Sequence, residues 1–302
     1  MRHGRGSRLG GFCCSCNLLD RQASEHKDMI KIACCSPTLR PGDKDFNIDR
    51  MERCIAAYKD ENVDLFIFPE NNIAGGLWPD GQKEYKDLAE AIPGGPSCNR
   101  ISRLAREYET TICSGIIESD RDSLYISHVL CGPGGLIGCQ RKLIPQNPEK
   151  SSFFAAGDRL NGFQLFGRTC VVLACADSMF PETAVIAGML NASLILCPTD
   201  CFHLREREVV TRLLCAQSIG AGAATVAVFG RGHGADEVLA TVIVDEEGAV
   251  AASETTFGDE DKVVIASICL KQPRQVWGGF QARRQMLLRH LPDDGVGDSN
   301  AV

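Results

Sequence analysis

The chain has 302 residues and a formal net charge of −7, and 44% of its residues are hydrophobic. This apolar fraction is enough to form a full core, which excludes a chain that is disordered throughout. The longest apolar stretch, residues 184–197, contains polar residues and is too short to span a membrane as a helix. The acidic balance argues against a nucleic-acid partner, because phosphate binding needs clustered Lys and Arg.

The first 28 residues differ from the rest of the chain. They are rich in Gly and Ser, carry scattered Arg and show no helical period, so we expect 1–28 to be a disordered extension. Cys13, Cys14 and Cys16 raise the possibility of a metal site, but no second Cys/His pair follows at a ligand spacing, and we expect no metal. The ordered domain is expected to span 29–291, with a frayed tail at 292–302.

Sixteen cysteines are many for this length, but they fall below the density of a disulfide scaffold. Half of them lie in short apolar runs, where a free thiol behaves as a small hydrophobic group. Those eight are Cys34, Cys35, Cys113, Cys131, Cys139, Cys170, Cys197 and Cys269. No apolar signal-peptide segment precedes them. We therefore expect unpaired thiols, a reducing compartment and a cytoplasmic protein.

From residue 29 onward, strand-type and helix-type segments alternate. Apolar runs predict strands at 30–35, 63–68 and 111–117, and a glycine-rich turn joins 124–131 and 136–141 into a hairpin. Apolar residues at helical spacing predict a helix over 48–58, and Ser97 is expected to cap a second helix.

The second half of the chain continues this alternation. Its predicted strands are 163–166, 169–174, 193–197, 223–229, 238–244 and 262–269, and its predicted helices are 181–190 and 204–219. No repeat of fixed period and no Pro/Ser-rich linker divides the chain. The pattern therefore favours one layered domain of the α+β or α/β class.

Three reactive side chains each follow an apolar strand directly. Glu70 comes after the run 63–68, where a carboxylate can act as a general base. An inward-pointing Lys142 would need a carboxylate partner and could stabilise a developing oxyanion. Cys175 lies at a strand-to-helix turn, where backbone N–H groups and the helix N-terminus are expected to favour the thiolate. Taken singly, each has an ordinary explanation as a solvated Glu, an edge cation or a core Cys.

Taken in order, the three segments are more specific. The sequences FPE at 68–70, RK at 141–142 and CADSMFPE at 175–182 together resemble the Glu-Lys-Cys triad of the nitrilase superfamily, also called carbon–nitrogen hydrolases. The resemblance extends from about residue 29 to residue 284. It implies an α/β fold, a four-layer α-β-β-α sandwich in a single domain, with no metal or organic cofactor. It also implies a homodimer or higher homo-oligomer formed through the helices after the nucleophile.

The resemblance further implies a role for each site residue. Cys175 would attack the substrate carbon, Glu70 would transfer protons, and Lys142 with the backbone N–H of Ala176 would hold the oxyanion. The residues expected to orient or contact the substrate are Glu149, Ala176, Thr199 and His203.

The residues after the nucleophile bear on the reaction. Nitrilases generally follow the cysteine with Trp-Glu, whereas this chain has Ala176-Asp177, which favours amide or carbamoyl substrates over nitriles. The expected function is hydrolysis of a small linear amide or N-carbamoyl compound with release of ammonia. Two alternatives stay open, namely nitrile hydrolysis by the same triad and a catalytically silent member that serves as a binding or scaffold protein.

Overall fold

The computed structural model describes residues 29–76, 82–145, 153–200, 207–230, 237–257 and 261–271. Within these ranges, the first six strands are β1 (Met29–Ser36), β2 (Leu65–Ile67), β3 (Thr111–Asp120), β4 (Ser123–Gly132), β5 (Gly135–Arg141) and β6 (Phe163–Leu165). The other strands are β7 (Arg168–Val172), β8 (Ala192–Thr199), β9 (Ala224–Phe229), β10 (Glu237–Val244), β11 (Val250–Phe257) and β12 (Lys262–Cys269). The helices are α1 (Lys44–Ala57), α2 (Gln82–Leu88), α3 (Pro96–Glu107), α4 (Pro181–Met189) and α5 (Arg207–Ala221).

The strands form two mixed six-stranded sheets with related topologies. The first has the order β12-β1-β2-β3-β4-β5 and the second β11-β10-β9-β8-β7-β6. Each has three parallel strands at its centre, β1-β2-β3 in one and β7-β8-β9 in the other, flanked by antiparallel strands. Central parallel strands are covered on both faces, which explains their continuous apolar sequences.

Three apolar cores separate four layers. The inner core lies between the sheets and combines residues such as Ile32 and Ile67 with Leu194 from the second sheet. A second core packs α1 and α3 on the first sheet, and a third packs α4 and α5 on the second sheet. Alternate side chains of each strand point to opposite faces, so one strand contributes to two cores. The predicted single-domain, four-layer α-β-β-α sandwich is therefore confirmed.

Several element predictions need correction. Gly95 is the N-cap of α3, and Pro96 is its first residue. Ser97 lies inside the helix and donates from both its N–H and its hydroxyl to the buried Glu90, so its predicted capping role is wrong. The strand predicted over 63–68 is shorter, at Leu65–Ile67. Neither α2 nor β11 was predicted; the polar residues of β11 are typical of a loop, and the segment is a strand because it pairs with β10.

The thiol prediction holds for the described residues, whose twelve cysteines form no disulfide with one another and are mostly buried. No helix in these ranges is long and apolar enough to cross a membrane. The predicted extension 1–28 and the tail 292–302 lie outside the described residues, and so does the end of the domain predicted at 291.

Candidate active site

Glu70 lies just beyond the end of β2. The N–H of Phe68 still donates to Cys113 of β3, and the loop then folds back so that the N–H of Ile73 donates to Gly115. A Cβ atom on Gly115 would lie 2.3 Å from the backbone nitrogen of Asn71. Only glycine permits this close approach, so β3 fixes the loop and leaves Glu70 only 2% exposed.

Lys142 follows β5 and points inward. Its backbone N–H donates to Ile126 at 2.8 Å, and its Nζ lies 2.7 Å from Oε1 of Glu70. Both side chains are almost fully buried. The pairing joins residues 72 positions apart in the chain, as expected for strands that end at the same edge of a sheet.

The charge of Lys142 is stabilised in this setting. Burial acts to lower its pKa, but the negative charge and hydrogen bond of Glu70, together with the charge of Asp177, outweigh that effect, so the pKa is raised overall. The side chain is therefore an ammonium group at neutral pH and can donate hydrogen bonds.

Arg141, the neighbour of Lys142, points to the other face of β5. Its guanidinium binds both carboxylate oxygens of Glu118 at 3.0 and 2.6 Å and one of Asp120 at 2.7 Å. It also lies 3.8 Å from the centre of the Tyr125 ring. This network fixes the end of β5 on β3 and β4, and so determines where Lys142 enters the site.

Cys175 occupies a strained turn between β7 and α4. It begins a 3₁₀ turn, Cys175–Met179, and has a positive φ of 46°, which is unusual for a residue other than glycine. The Ser178 hydroxyl donates to the Cys175 carbonyl at 2.7 Å, and Gln217 of α5 donates to Ser178 at 2.6 Å. Strain of this kind persists only where the surroundings hold it, and here they aim the thiol at the site.

The Cys175 thiol lies within electrostatic range of both Glu70 and Lys142. Burial, followed by the negative charge of Glu70, raises the pKa of the thiol to about 12 despite Lys142 and the backbone N–H of Asp200, which favour the thiolate. The predicted preference for the thiolate is therefore wrong, because desolvation outweighs these favourable interactions. The sulfur needs a base before it can attack.

The sequence analysis missed one residue of this cluster, His128. It is fully buried on β4, opposite Gln140 of β5, and interacts electrostatically with Glu70 and Lys142. Burial lowers the pKa of His128 to about 4, so the imidazole is neutral at pH 7. A histidine within an apolar strand gives no sign in the sequence of the charged pair it faces.

The other predicted site residues divide into two groups. Ala176 is buried in the turn beside Cys175. Thr199 is buried at the end of β8, where its hydroxyl donates to the carbonyl of Cys197 at 3.3 Å, within its own strand. Glu149 and His203 lie outside the described residues.

No group of three or more His, Cys, Asp or Glu side chains in the described ranges is arranged to hold a metal ion. Cys13, Cys14 and Cys16 lie outside those ranges.

Comparison with known proteins agrees with this fold. The family model described as carbon-nitrogen hydrolase matches residues 31–276. The chain belongs to the carbon–nitrogen hydrolase family. An amidase structure from Nesterenkonia sp. AN1 superimposes with a TM-score of 0.71 at 21% identity, over 86% of this chain and 98% of that one. This likeness shows the fold.

Curated relatives include both amidases and nitrilases. A nitrilase from Pyrococcus abyssi is 30% identical over 57% of this chain and 65% of its own length. An N-carbamoylputrescine amidase from Solanum lycopersicum is 25% identical over 81% of this chain and 89% of its own length. An (R)-stereoselective amidase from Pseudomonas sp. is 27% identical over 52% of this chain. The chain matches less than two thirds of the length of the nitrilase and of this last amidase, at 65% and 55%.

Proposed function

We propose that the chain is a thiol-dependent hydrolase that cleaves the C–N bond of a small linear amide or N-carbamoyl compound and releases ammonia. The observation that carries this proposal is the meeting of three side chains from distant segments: Glu70 and Lys142 form a buried pair, and both interact electrostatically with the Cys175 thiol. Family membership supports the same reaction class.

In the first half of the reaction, Glu70 takes the proton from the Cys175 thiol as the sulfur bonds to the substrate carbonyl carbon. The carbonyl oxygen becomes an oxyanion, which Lys142 and the backbone N–H of Ala176 stabilise. Glu70 then gives its proton to the substrate nitrogen, the C–N bond breaks, and ammonia leaves. A thioester on Cys175 remains.

In the second half, Glu70 removes a proton from water, and the resulting hydroxide attacks the thioester carbon. The C–S bond breaks and the Cys175 sulfur recovers a proton. An amide yields a carboxylic acid in this way, whereas a carbamoyl compound yields an unstable carbamic acid that loses carbon dioxide. Each step uses only water and groups of this chain.

The raised pKa of Cys175 is consistent with these assignments. A thiol that is mostly protonated at neutral pH depends on a general base, and Glu70 is a carboxylate that interacts electrostatically with this thiol and contacts Lys142. The cation of Lys142 lies where the oxyanion forms, and it compensates the negative charge of Glu70 while the site is empty.

The preference for amide or carbamoyl substrates rests on Ala176-Asp177 after the nucleophile. The relatives named N-carbamoylputrescine amidase and citrullinase match about four fifths of this chain and agree with that preference. Glu149, Thr199 and His203 are proposed to contact the substrate, and a homodimer is proposed as the assembled form.

The test is ammonia release from a panel of aliphatic amides, N-carbamoyl amines and nitriles. The purified chain is expected to act on at least one amide or carbamoyl compound, and Cys175→Ala is expected to abolish that activity. Cys215→Ala is the matched control, because Cys215 is a partly exposed thiol on α5. Activity that survives in Cys175→Ala would refute the triad. Activity on nitriles alone would favour the nitrilase alternative. No activity on any compound would favour the alternative of a catalytically silent scaffold protein.

A further inference from the structure

Asp177 connects the nucleophile turn to the lysine strand. It lies two residues after Cys175 and is fully buried. Its Oδ1 accepts from the backbone N–H groups of Leu143 and Ile144 at 3.1 and 2.8 Å, and its Oδ2 accepts from Leu143 at 3.0 Å. These are the two residues that follow Lys142. One carboxylate therefore fixes the backbone immediately beyond the ammonium group.

The main chain of Asp177 is equally constrained. Its N–H donates to Ala174 at 2.9 Å, and its carbonyl accepts from the Thr183 hydroxyl of α4 at 2.6 Å. The residue is thus anchored on the segment that follows β7 and on α4, while its side chain holds the chain just beyond β5. Between these anchors lies Ala176, whose N–H faces the developing oxyanion in the proposed mechanism.

We propose that Asp177 is a positioning residue that holds Lys142 and the Ala176 N–H in a single oxyanion site. The inference rests on the proposed function for the roles of those two groups. Its geometric part, a carboxylate that sets the distance between the nucleophile turn and the lysine strand, does not depend on which substrate is cleaved.

A second buried carboxylate shows what a purely structural role looks like. Glu90 accepts hydrogen bonds from the N–H and hydroxyl of Ser97 and from Lys44, and it fixes α3 to α1 away from Cys175. Both carboxylates receive backbone N–H donors, but only that of Asp177 bridges two segments that carry reacting groups. Glu90 is therefore the matched control.

The ionisation of Asp177 gives the proposal a pH signature. Burial raises the pKa of Asp177 to about 6. The N–H groups of Leu143 and Ile144 and the charge of Lys142 act to lower this pKa. The negative charge of Glu70 acts to raise it. Cys197 of β8 also interacts electrostatically with this carboxylate, and the neutral His128 interacts with Glu70 and Lys142. Above pH 6 the carboxylate is ionised and binds its N–H donors most strongly.

Stability and activity are then expected to change in opposite directions. Because the pKa in the folded chain is higher than in the unfolded chain, the folded state binds this proton more tightly. The contribution of Asp177 to stability is complete below about pH 4 and is lost as the pH rises to about 6. Activity should instead rise over the same range, because it needs the ionised carboxylate.

The experiment compares Asp177→Asn with wild type and with Glu90→Gln, with the best substrate from the ammonia assay. In Asp177→Asn, kcat is expected to fall by about 100-fold, the scale of a small misplacement of catalytic groups, while KM changes by less than about twofold. The rise in kcat between pH 5 and 7 should also disappear. Glu90→Gln should keep the wild-type kcat and pH profile even if its melting temperature falls. Wild-type kcat and an unchanged pH profile in Asp177→Asn would overturn the proposal.

A second measurement needs no substrate and no variant. In the wild-type chain, hydrogen exchange at the Leu143 and Ile144 amides, corrected for intrinsic rates, should be less protected at pH 5 than at pH 7. The Phe68 amide, which donates to a backbone carbonyl, should show no such change. If protection at the Leu143 and Ile144 amides is the same at pH 5 and pH 7, as at Phe68, the proposal is overturned even if Asp177→Asn does not fold. If Cys175→Ala keeps its activity, the proposed function is refuted, but the exchange result still stands. The failure of the two proposals can therefore be told apart.

Discussion

Single residues of this site carry charges that are costly to bury. Glu70 and Lys142 are 2% and 5% exposed, and two charges removed from water are stable only as a hydrogen-bonded pair. Such a pair is poor evidence of a stabilising role, because well-packed apolar residues are often at least as stable in its place. Its position beside a strained cysteine points to chemistry as its purpose.

The pair predicts a characteristic pattern of stability. Lys142→Met leaves the carboxylate of Glu70 buried without its cation, so it should lower the free energy of unfolding by about 3–5 kcal/mol. The double variant Glu70→Gln/Lys142→Met removes both charges and should recover most of that loss. Urea unfolding of the three chains measures the difference. A double variant that is less stable than Lys142→Met would show that the pair is not coupled in this way.

Glu70 alone is expected to affect rate more than binding. Glu70→Gln keeps the shape of the side chain and one acceptor for Lys142 but cannot take a proton. Loss of a general base lowers rates by about 10²–10⁴-fold, so kcat should fall on that scale with little change in KM. The assay is ammonia release at saturating substrate, with the folded state checked by circular dichroism. Full activity in this variant would assign the base role to another group.

The raised pKa of the Cys175 thiol predicts an unusual pH dependence of alkylation. Because burial raises the pKa of Cys175 to about 12, its thiolate fraction should grow about tenfold per pH unit from pH 7 to 10 without a plateau. Iodoacetamide labelling followed by peptide mapping gives the rate at this one residue. An unstructured peptide of the same sequence, whose rate levels off near pH 9, is the control. A plateau below pH 9 in the folded chain would contradict the raised pKa.

At the scale of elements, the site depends on how closely the Glu70 loop approaches β3. Gly115→Ala would place a methyl group 2.3 Å from the Asn71 nitrogen and 3.0 Å from the carbonyl carbon of Glu70. Something must shift, and overpacking of this kind costs about 1–3 kcal/mol. We expect Gly115→Ala to lower both the free energy of unfolding and kcat, because the loop that moves carries Glu70.

Gly134 offers a control for that experiment. It lies in the turn between β4 and β5, and a Cβ there would meet nothing within 4 Å. Gly134→Ala should therefore change stability by less than about 1 kcal/mol and leave kcat unaltered. Urea unfolding and ammonia release on the two variants test both statements. Equal effects at the two glycines would mean that the close approach at Gly115 has no functional consequence.

Most strands could be predicted from the sequence, because buried parallel strands form uninterrupted apolar runs. The order of the layers followed only from the resemblance to the nitrilase superfamily. The strand over 30–35 and the helix over 181–190 were predicted to within a few residues. Elements that form mainly through contacts with their neighbours were harder to predict from the sequence. β11 has a polar sequence and is a strand because it pairs with β10, and Ser97 had the right chemistry for a cap but binds Glu90 instead.

The same division applies to the site. Glu70, Lys142 and Cys175 could be selected because each follows a strand and together they match an ordered motif. The state of the thiol could not be predicted, since it depends on how deeply the packed sheets bury the sulfur. The place of His128 beside the ion pair and the hydrogen bonds of Asp177 could not be predicted either. They depend on the register of β4 with β5 and on the path of the chain after Lys142.

For the whole molecule, the related topologies of the two sheets leave their helical faces chemically different. The outer face of α4 and α5 exposes large apolar side chains, with Ile186 42% and Val209 65% exposed, and Ile219 is 44% exposed on the same helix as Val209. Exposed apolar groups on adjacent helices commonly mark an interface between proteins. We expect this face to form the contact of a homodimer.

The expected mass in solution is twice the 32.7 kDa of one chain, measured by light scattering coupled to size-exclusion chromatography. The double substitution Ile186→Lys/Val209→Lys should give a monomer, because a charged side chain in an apolar contact loses its hydration without gaining a partner. Ile137→Lys is the control, since Ile137 is similarly exposed, at 41%, but lies on β5 at the edge of the other sheet. If the wild-type chain is a monomer, there is no such interface. If Ile137→Lys disrupts the dimer and the double substitution does not, the interface lies on another surface.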